Sequence, residues 1–547
     1  MTKEDILHRV SKSHLTELTD GKLLAADYIP IGTELVEIPR KMMIWDLDVV
    51  RHAFIREELF QTRLVGNIDT AERRMALMSA YMALLRNEVI TPIFDAHVSV
   101  VKMLPLYEEY AGFHPVLIDL SRLEQALGGT HSPGYQQIIS TREQMHSEYN
   151  EFARVSKLFA RQVSIEEYLS FRIAVQSRAF HVSEITKSEA LEEGPTIQKE
   201  KEYYRQTIEI DFDEYAIAIM PVNDWMNSHA NNNVEVGEYN PVSRTWQASS
   251  IKPIPKGGEL INNYGERLDV VLFSQYGYVP SDGSGSTFAR LYAYHDISLA
   301  GYQPNKEPPQ ETMLKYLQRD FGYFECIQGK KHPEAAELKQ LKSLYLQKIS
   351  TDNERWSVPL PPRAKSNKTP ISTTTIPDNY KVPSFGVDID EYLESAALKA
   401  SLPCRLITLT HRDLDGNGYT ILIEDLEEMN EGSSGALLKL EWAEINIAWM
   451  IRTLHCMHTL ASVQKQRYGT SVASQEKQIL EMRENNSRVD SFEWNAAHLK
   501  LGEMQSQEVI ENFTLLFLES MEMDDNSEDF FVRNEPCPWE YSKELLL

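Results

Sequence analysis

Two segments of nearly the same residue pattern lie far apart in the chain. Residues 29–36 read IPIGTELV, and residues 254–261 read IPKGGELI. In each segment proline presets a turn, glycine permits the unusual backbone angle of that turn, and the apolar residues that follow favour a strand. Two copies are too few for a repeat protein. The pattern therefore predicts one β domain to which both segments contribute.

Helical patterns fill much of the sequence between these two segments. Asp69 and Glu72 resemble a capping box at the start of one helix, and Ser164 with Glu167 resembles a second box, whose helix would end near Arg178. The first helix carries apolar residues at helical spacing, namely Met75, Leu77, Met78, Tyr81, Met82 and Leu85. We therefore expect a helical insertion at about residues 66–210.

The second half of the chain changes character. Residues 352–383 are rich in Pro, Ser, Thr and Lys, which is typical of a flexible insertion. Beyond it one predicted helix has its apolar residues three and four positions apart, at Trp442, Ile445, Trp449, Cys456 and Leu460. From about residue 519 acidic residues dominate, as in a solvated tail. A helical domain over residues 301–547 is the expectation.

Charge and cysteine content narrow the class of protein. The 55 basic and 81 acidic residues give a net charge of −26, which disfavours nucleic-acid binding because that affinity depends on Lys and Arg. The four cysteines form no CxxC pair, so neither a disulfide framework nor a cysteine zinc site is indicated. No apolar run approaches the roughly 18 residues of a membrane helix. We expect a monomeric cytoplasmic or nuclear protein without a metal.

Most familiar enzyme signatures are missing from the sequence. It contains no GxGxxG opening a helix, no GxxxxGK[ST], no HExxH and no GxSxG. Residues 413–424 match the ligand spacing of an EF-hand loop, although LITL before them favours a strand over an entering helix. Both a calcium site and a plain Asp-Gly-Asn-Gly turn stay open for this segment.

The most informative motifs are spread over three places. Residues 20–25 read DGKLLA, residues 177–180 read SRAF, and residues 221–233 read PVNDWMNSHANNN, followed at 254–279 by IPKGGELINNYGERLDVVLFSQYGYV. In this order they resemble the signature of SET-domain methyltransferases, in particular the Rubisco large-subunit methyltransferase group. Weaker similarity at residues 32–39, 123–130, 442–446 and 468–471 extends the resemblance to nearly the whole chain.

The resemblance implies an α+β fold and an activity. Residues 1–300 would form a β-rich SET domain with the helical insertion, and residues 301–547 an all-α domain of the substrate-binding type. The implied reaction moves a methyl group from S-adenosylmethionine to a side-chain nitrogen of a non-histone protein, usually that of lysine. A free lysine has a pKa of about 10.4, so its amine must lose a proton first. The negative charge favours lysine-rich protein partners.

The resemblance also implies roles for individual residues. Tyr264 matches the catalytic tyrosine that orients the methyl group and the amine, Tyr276 and Tyr278 match walls of the lysine channel, and Asp224 matches an acid supporting the substrate side. The implied cofactor-binding residues are Asp20, Gly21, Lys22, Arg178, Asn227, Ser228 and Tyr264. Among these, Asn227 and Arg178 would hold the amino-acid end. Without the resemblance, complementing the helix dipole is the favoured interpretation of Arg178, and the aromatic residues could be core packing.

Two departures from the family pattern leave alternatives open. Leu23 replaces a glycine of the cofactor loop, where a side chain could crowd the ligand and glycine-only angles would be strained. Ser228 replaces a histidine, with His229 one residue late, so a one-residue bulge could restore the histidine. A degenerate SET scaffold that binds partners without methylating them is therefore a second hypothesis. A third is an acidic protein-binding module that uses residues 519–529.

Overall fold

The computed structural model of the chain forms two compact units. The first comprises Met1–Asp119, Gln137–Arg267 and Val271–Tyr278, and the second comprises Leu120–Gln136, Leu268–Val270 and Val279–Leu547. The structure describes residues 3–11, 16–19, 22–59, 70–182, 216–229, 231–240, 243–265, 267–280, 288–289, 358–359, 454, 457–458, 461–462, 464–485 and 491–522. The domain boundaries expected from the sequence remain predictions.

Short antiparallel sheets form the β part of the first unit. The strands of the described chain are β1 Thr16–Thr19, β2 Lys22–Ala25, β3 Glu34–Pro39, β4 Ile44–Trp45, β5 Ala179–Val182, β6 Ala216–Ile219, β7 Asn227–Ser228, β8 Val234–Asn240, β9 Thr245–Ser250, β10 Ile261–Asn262, β11 Phe288–Ala289 and β12 Val358–Pro359. In the antiparallel sheets, β3 pairs with β9 and β9 with β8, β4 and β5 both pair with β6, and β1 pairs with β2. Strands β7 and β10 form a parallel pair. In the second unit β11 pairs with β12.

The two similar turn–strand segments lie side by side in the first unit. Ile29 and Ile254 form an antiparallel bridge in which each N–H donates to the other's carbonyl oxygen at 2.9 Å. Gly32 and Gly257 have φ angles of +78° and +73°, as the turn chemistry predicts. The β-domain prediction is confirmed at these segments, which pack against each other although they are distant in sequence.

Helices make up most of the described chain. They are α1 Lys3–Val10, α2 Asp46–Arg51, α3 Thr70–Arg86, α4 Asp95–Met103, α5 Tyr107–Ala111, α6 Leu120–Leu127, α7 Pro133–Val155, α8 Lys157–Gln162, α9 Ile165–Arg178, α10 Asp269–Tyr276, α11 Val472–Glu484 and α12 Phe492–Glu522. The predicted helix before Arg178 is confirmed, since the Ser164 hydroxyl accepts from the Glu167 N–H at the start of α9. Together the strands and helices give a mixed α/β fold.

Helix α3 packs against α9, α2 and α4 in the first unit. The sequence predicts one apolar face, but the structure buries every residue from 76 to 85. A helix apolar on nearly all sides is one that is enclosed by its neighbours. The buried pair Arg74–Asp46, at 2.8 Å, joins this helix to α2. Asp46 also accepts from the Ile217 N–H of β6 at 3.1 Å, so the pair fixes the strand that leads into residues 220–228.

In the second unit α12 packs against α6 and α11. Its Glu503 is buried and accepts hydrogen bonds from the Ser132 hydroxyl, the Tyr468 hydroxyl and the Gly134 N–H, at 2.8, 2.8 and 2.7 Å. Burial raises the pKa of Glu503 to about 7, although these three donors oppose the rise. Nothing in the sequence pattern singles out this carboxyl group.

Several predicted features lie outside the described residues. These are Asp69 of the first capping box, the helix through Trp442, the EF-hand-like segment 413–424 and most of the insertion 352–383. No helix in the described part of the chain is long and apolar enough to span a membrane. The all-α prediction for residues 301–547 needs one correction, because strand β12 lies within this range and pairs with β11. Helices α11 and α12 agree with the prediction.

Candidate functional site

Tyr264 lies two residues after the end of strand β10. Its hydroxyl donates to the Met226 carbonyl oxygen at 2.8 Å, and its N–H donates to the Ser228 hydroxyl at 3.0 Å. Burial raises the pKa of Tyr264 well above its ordinary value, and this effect outweighs the opposing influence of Arg178. The phenol is therefore neutral and held in one orientation, as a positioning group requires.

Three tyrosine rings form a continuous aromatic cluster. The Tyr264 and Tyr276 rings stack with centroids 4.9 Å apart, and the Tyr276 and Tyr278 rings meet edge-on at 6.3 Å. The Arg267 guanidinium lies 5.9 Å from the centre of the Tyr276 ring. Burial also raises the pKa of Tyr276, against the effect of Arg267. The structure thus brings together all three tyrosines singled out in the sequence.

A loop of the helical insertion packs behind this cluster. Gly277 separates Tyr276 from Tyr278 and has a φ of +79°. A Cβ atom there would lie 3.1 Å from the Phe113 ring and 3.4 Å from the His114 ring. The His114 ring nitrogen Nε2 lies 3.3 Å from the Gln275 carbonyl oxygen, which can only accept, so the ring is the donor. Phe113 and His114 therefore fix the backbone that carries two of the tyrosines.

The half-buried Arg178 and the buried Asp224 form a polar pair beside the tyrosines, with side chains 23% and 1% exposed. The Arg178 guanidinium donates to the Asp224 carbonyl oxygen at 2.9 Å and to its Oδ2 at 3.3 Å. Burial raises the pKa of the Asp224 carboxyl, and Arg178 partly offsets this. Both residues interact electrostatically with Tyr264. Although Arg178 ends α9, its side chain is engaged by Asp224, so complementing the helix dipole is not its only role.

The backbone just before Asp224 is strained, a feature that sequence reasoning missed. Val222 is buried with φ +79° and ψ −47°, a region that β-branched residues rarely adopt. The next residue, Asn223, is also buried, and neither polar atom of its side chain has a partner among the described residues. Its neighbours are better satisfied, since Arg178 interacts with Tyr110 as well as with Asp224, and the Asp224 carboxyl interacts with backbone N–H groups. Unpaired buried polar atoms are costly, so this cluster fits a polar ligand that would satisfy them.

The strands that carry the predicted cofactor-binding residues Lys22 and Asn227 meet at the carboxylate of Glu259. Asn227 of β7 pairs with Ile261 of β10, and its side-chain Nδ2 donates to Glu259 Oε1 at 2.6 Å. Lys22, the first residue of β2, lies 3.3 Å from Glu259 Oε2. Glu259 was not predicted as a site residue, although it lies in the motif that contains Tyr264. Asp20 and Gly21 lie outside the described residues.

The structure resolves part of the concern raised by Leu23. This residue lies within strand β2, where its carbonyl oxygen accepts from the Leu260 N–H at 2.8 Å, and its side chain is buried. The expectation of glycine-only backbone angles is wrong, because an extended strand suits any residue. Leucine supplies core packing there.

The pairing of β7 with β10 also answers the question about Ser228 and His229. Ser228 stands opposite Asn262 in that pair, and the His229 N–H donates to the Asn262 carbonyl oxygen at 3.0 Å. A bulge that moves the histidine back into the serine position is absent from this pairing. The Ser228 hydroxyl instead accepts from the Tyr264 N–H.

In the asparagine-rich segment after Ser228, the side chains of Asn232 and Asn233 bind backbone groups. Asn232 Nδ2 donates to the Val234 carbonyl oxygen at 2.9 Å, a local bond of the kind expected in an Asx-rich loop. Asn233 reaches further: its Nδ2 donates to the Glu259 carbonyl oxygen and its Oδ1 accepts from the Ile261 N–H, both at 2.8 Å. Asn233 thereby holds the strand that leads to Tyr264. Within the described residues, no group of His, Cys, Asp or Glu side chains is arranged to bind a metal.

Solved structures with a similar fold carry SET domains. The SET domain of LSMT bound to lysine and AdoHcy aligns with a TM-score of 0.54 at 12% identity, covering 97% of this chain and 96% of that chain. Rubisco LSMT bound to AdoMet gives 0.52 at 11% identity, covering 98% of each chain. Rubisco LSMT bound to sinefungin and monomethyllysine gives 0.50 at 13% identity, covering 95% and 92%.

The comparisons by sequence gave no match. No protein-family model and no curated protein sequence matches the chain. The likeness therefore rests on the fold, over almost the full length of both chains. The chain has the SET-domain fold and resembles the Rubisco LSMT methyltransferase structures.

Proposed function

We propose that this protein transfers a methyl group from S-adenosylmethionine to the side-chain nitrogen of lysine in a non-histone protein. The observation that carries the proposal is the cluster of Tyr264, Tyr276 and Tyr278 beside the Arg178–Asp224 pair, within a SET fold. Support comes from similar structures bound to AdoMet, AdoHcy, lysine and monomethyllysine.

The residues present fit the cofactor. Both polar atoms of the Asn223 side chain are buried without partners among the described residues, and Arg178 donates to the adjacent residue Asp224. A zwitterionic amino-acid group could satisfy such donors and acceptors, and a guanidinium suits a carboxylate. In this proposal Arg178 meets the α-carboxylate and Asn227 the α-amino group. Bound S-adenosylmethionine would supply the electrophilic methyl group.

The tyrosine cluster suits the lysine side chain. Aromatic faces pack well against a lysine's methylene groups and also attract an ammonium group. Burial raises the pKa of Tyr264, so its hydroxyl stays neutral. A neutral hydroxyl can orient an incoming amine through a hydrogen bond and does not require the amine to be protonated. A low-dielectric site also favours the neutral amine over the ammonium, and the neutral form is the nucleophile. Holding that amine in line with the methyl group would supply much of the rate.

The proposed substrate class rests on the net charge of the chain and on its structural similarity to Rubisco LSMT. A net charge of −26 favours proteins that present lysine on basic surfaces, through long-range attraction. The preference for a non-histone protein rests on the similarity to Rubisco LSMT.

Calorimetric titration of the full chain with S-adenosylmethionine tests the proposal. We expect saturable binding in the wild type and at least about tenfold weaker binding in Arg178→Ala, which loses the charge-assisted contact. Absence of binding at millimolar cofactor would refute the enzyme hypothesis. Binding without transfer to any protein of a cell extract would instead favour the degenerate scaffold.

A further inference from the structure

Glu259 is the residue at which three strands of the candidate site converge. Its backbone forms an antiparallel bridge with Leu24 of β2, and its carbonyl oxygen accepts from Asn233 Nδ2 at 2.8 Å. Its carboxylate accepts from Asn227 Nδ2 at 2.6 Å and lies 3.3 Å from the Lys22 ammonium. Because the backbone is held on both sides, the carboxylate is a fixed reference point for Asn227.

This contact sets the polarity of the Asn227 amide. An ionised carboxylate can only accept, so Asn227 must present its NH₂ group to Glu259. The amide oxygen, Oδ1, is then directed away from Glu259 and can only accept a hydrogen bond. A ligand group that meets this oxygen must therefore be a donor.

We propose that Glu259 is a positioning residue that orients Asn227 so that its Oδ1 accepts from the α-ammonium group of S-adenosylmethionine. The inference rests on the proposed function and deepens it. The positive charge of Lys22 is balanced by Glu259, which leaves Arg178 as the cation for the α-carboxylate. The side chain of Glu259 is 22% exposed, whereas Asn227 is exposed and therefore accessible to a ligand.

Ligands with and without an amino-acid end test this assignment. We expect Glu259→Ala to raise the calorimetric Kd of S-adenosylmethionine about tenfold and to leave that of 5′-methylthioadenosine, which lacks the amino-acid end, within about twofold. Glu259→Gln retains an acceptor for Asn227, so the Kd of S-adenosylmethionine should rise only about threefold. Glu235→Ala, on the exposed face of β8, is the control and should change neither affinity.

A double-mutant cycle separates positioning from a general charge effect. If Glu259 acts through Asn227, Glu259→Ala should have little further effect on S-adenosylmethionine affinity once Asn227→Ala is present. Additive losses would overturn the inference, because Glu259 would then act on its own. Equal losses for S-adenosylmethionine and 5′-methylthioadenosine would also overturn it, since they indicate general damage to the site.

The outcome for the wild type distinguishes this inference from the function on which it rests. A wild type that binds S-adenosylmethionine while Glu259→Ala retains full affinity overturns the positioning role alone. A wild type that binds neither ligand overturns both proposals.

Discussion

Replacing Gly277 by alanine tests whether the insertion loop fixes the tyrosine cluster. Gly277 has φ +79°, and an added Cβ would lie 3.1 and 3.2 Å from two atoms of the Phe113 ring. The left-handed backbone angle alone should cost about 1–2 kcal/mol with a Cβ present. Overpacking against the ring adds about 1–3 kcal/mol. We therefore expect Gly277→Ala to lower the free energy of unfolding by about 2–5 kcal/mol.

Gly32 offers a matched control within the same unit. Its φ is +78°, but no heavy atom lies within 4 Å of the position that its Cβ would take. Gly32→Ala should therefore cost only the backbone contribution of about 1–2 kcal/mol. Urea unfolding followed by tryptophan fluorescence measures both variants, and the midpoints can be compared where the slopes are equal. The difference between them isolates contact with the insertion loop.

A second substitution shows whether the contact partner is correct. Phe113→Leu removes ring atoms near Gly277, so in that background Gly277→Ala should cost less than it does in the wild type. Equal losses for Gly277→Ala and Gly32→Ala would refute the packing argument. The same conclusion would follow if Phe113→Leu gave no relief.

Three further outcomes follow from individual contacts. Tyr264→Phe removes the hydroxyl but keeps the ring stacked on Tyr276. The kcat for methyl transfer should therefore fall about 100-fold, while the Kd of S-adenosylmethionine changes less than about threefold. Unchanged turnover in a steady-state assay would contradict the role assigned to Tyr264. Because burial raises the pKa of Glu503 from 4.5 to about 7, the folded state keeps this proton at a pH where the unfolded chain has lost it. The free energy of unfolding should therefore fall by about 3 kcal/mol as pH rises from about 4.5 to 7. Urea titrations at several pH values should show that the free energy of unfolding depends less on pH in Glu503→Gln than in the wild type. The same pH dependence in both proteins would contradict the burial argument. Leu23→Gly should lower the free energy of unfolding by about 2–4 kcal/mol without strengthening S-adenosylmethionine binding, and calorimetric evidence of tighter binding would show that leucine obstructs the ligand.

Local chemistry accounts for the features that were predicted correctly. Gly32 and Gly257 have the positive φ angles expected from their turns, and Ser164 caps its helix, because each outcome depends on a few adjacent residues. The expected position of Tyr264 near a strand end agrees with the structure, because β10 ends two residues before it. The tyrosines and the Arg178–Asp224 pair were named from a resemblance, and the structure brings them together.

The features that were missed depend on residues distant in sequence. Val222 adopts a positive φ that a β-branched residue disfavours, so its own identity argues against the observed conformation. Glu259 has its side-chain contacts only because Lys22 of β2 and Asn227 of β7 are brought to it by the fold. Glu503 likewise depends on donors from the loop before α7 and from Tyr468. Neither periodicity nor turn chemistry encodes such pairings.

The Leu23 prediction failed for a related reason. A glycine in a family motif was taken to indicate a glycine-only backbone, whereas the position here is an ordinary strand residue with a buried side chain. Motif position alone did not distinguish a conformational requirement from a packing preference.

The most direct test of the central claim is transfer of a labelled methyl group. The full chain would be incubated with a cell extract and S-adenosylmethionine carrying a deuterated methyl group, and modified peptides would be located by mass spectrometry. We predict the label on a lysine side-chain nitrogen of a non-histone protein, with at least about tenfold less label for Tyr264→Phe in the same time. Cofactor binding by the wild type without any labelled lysine would contradict the account.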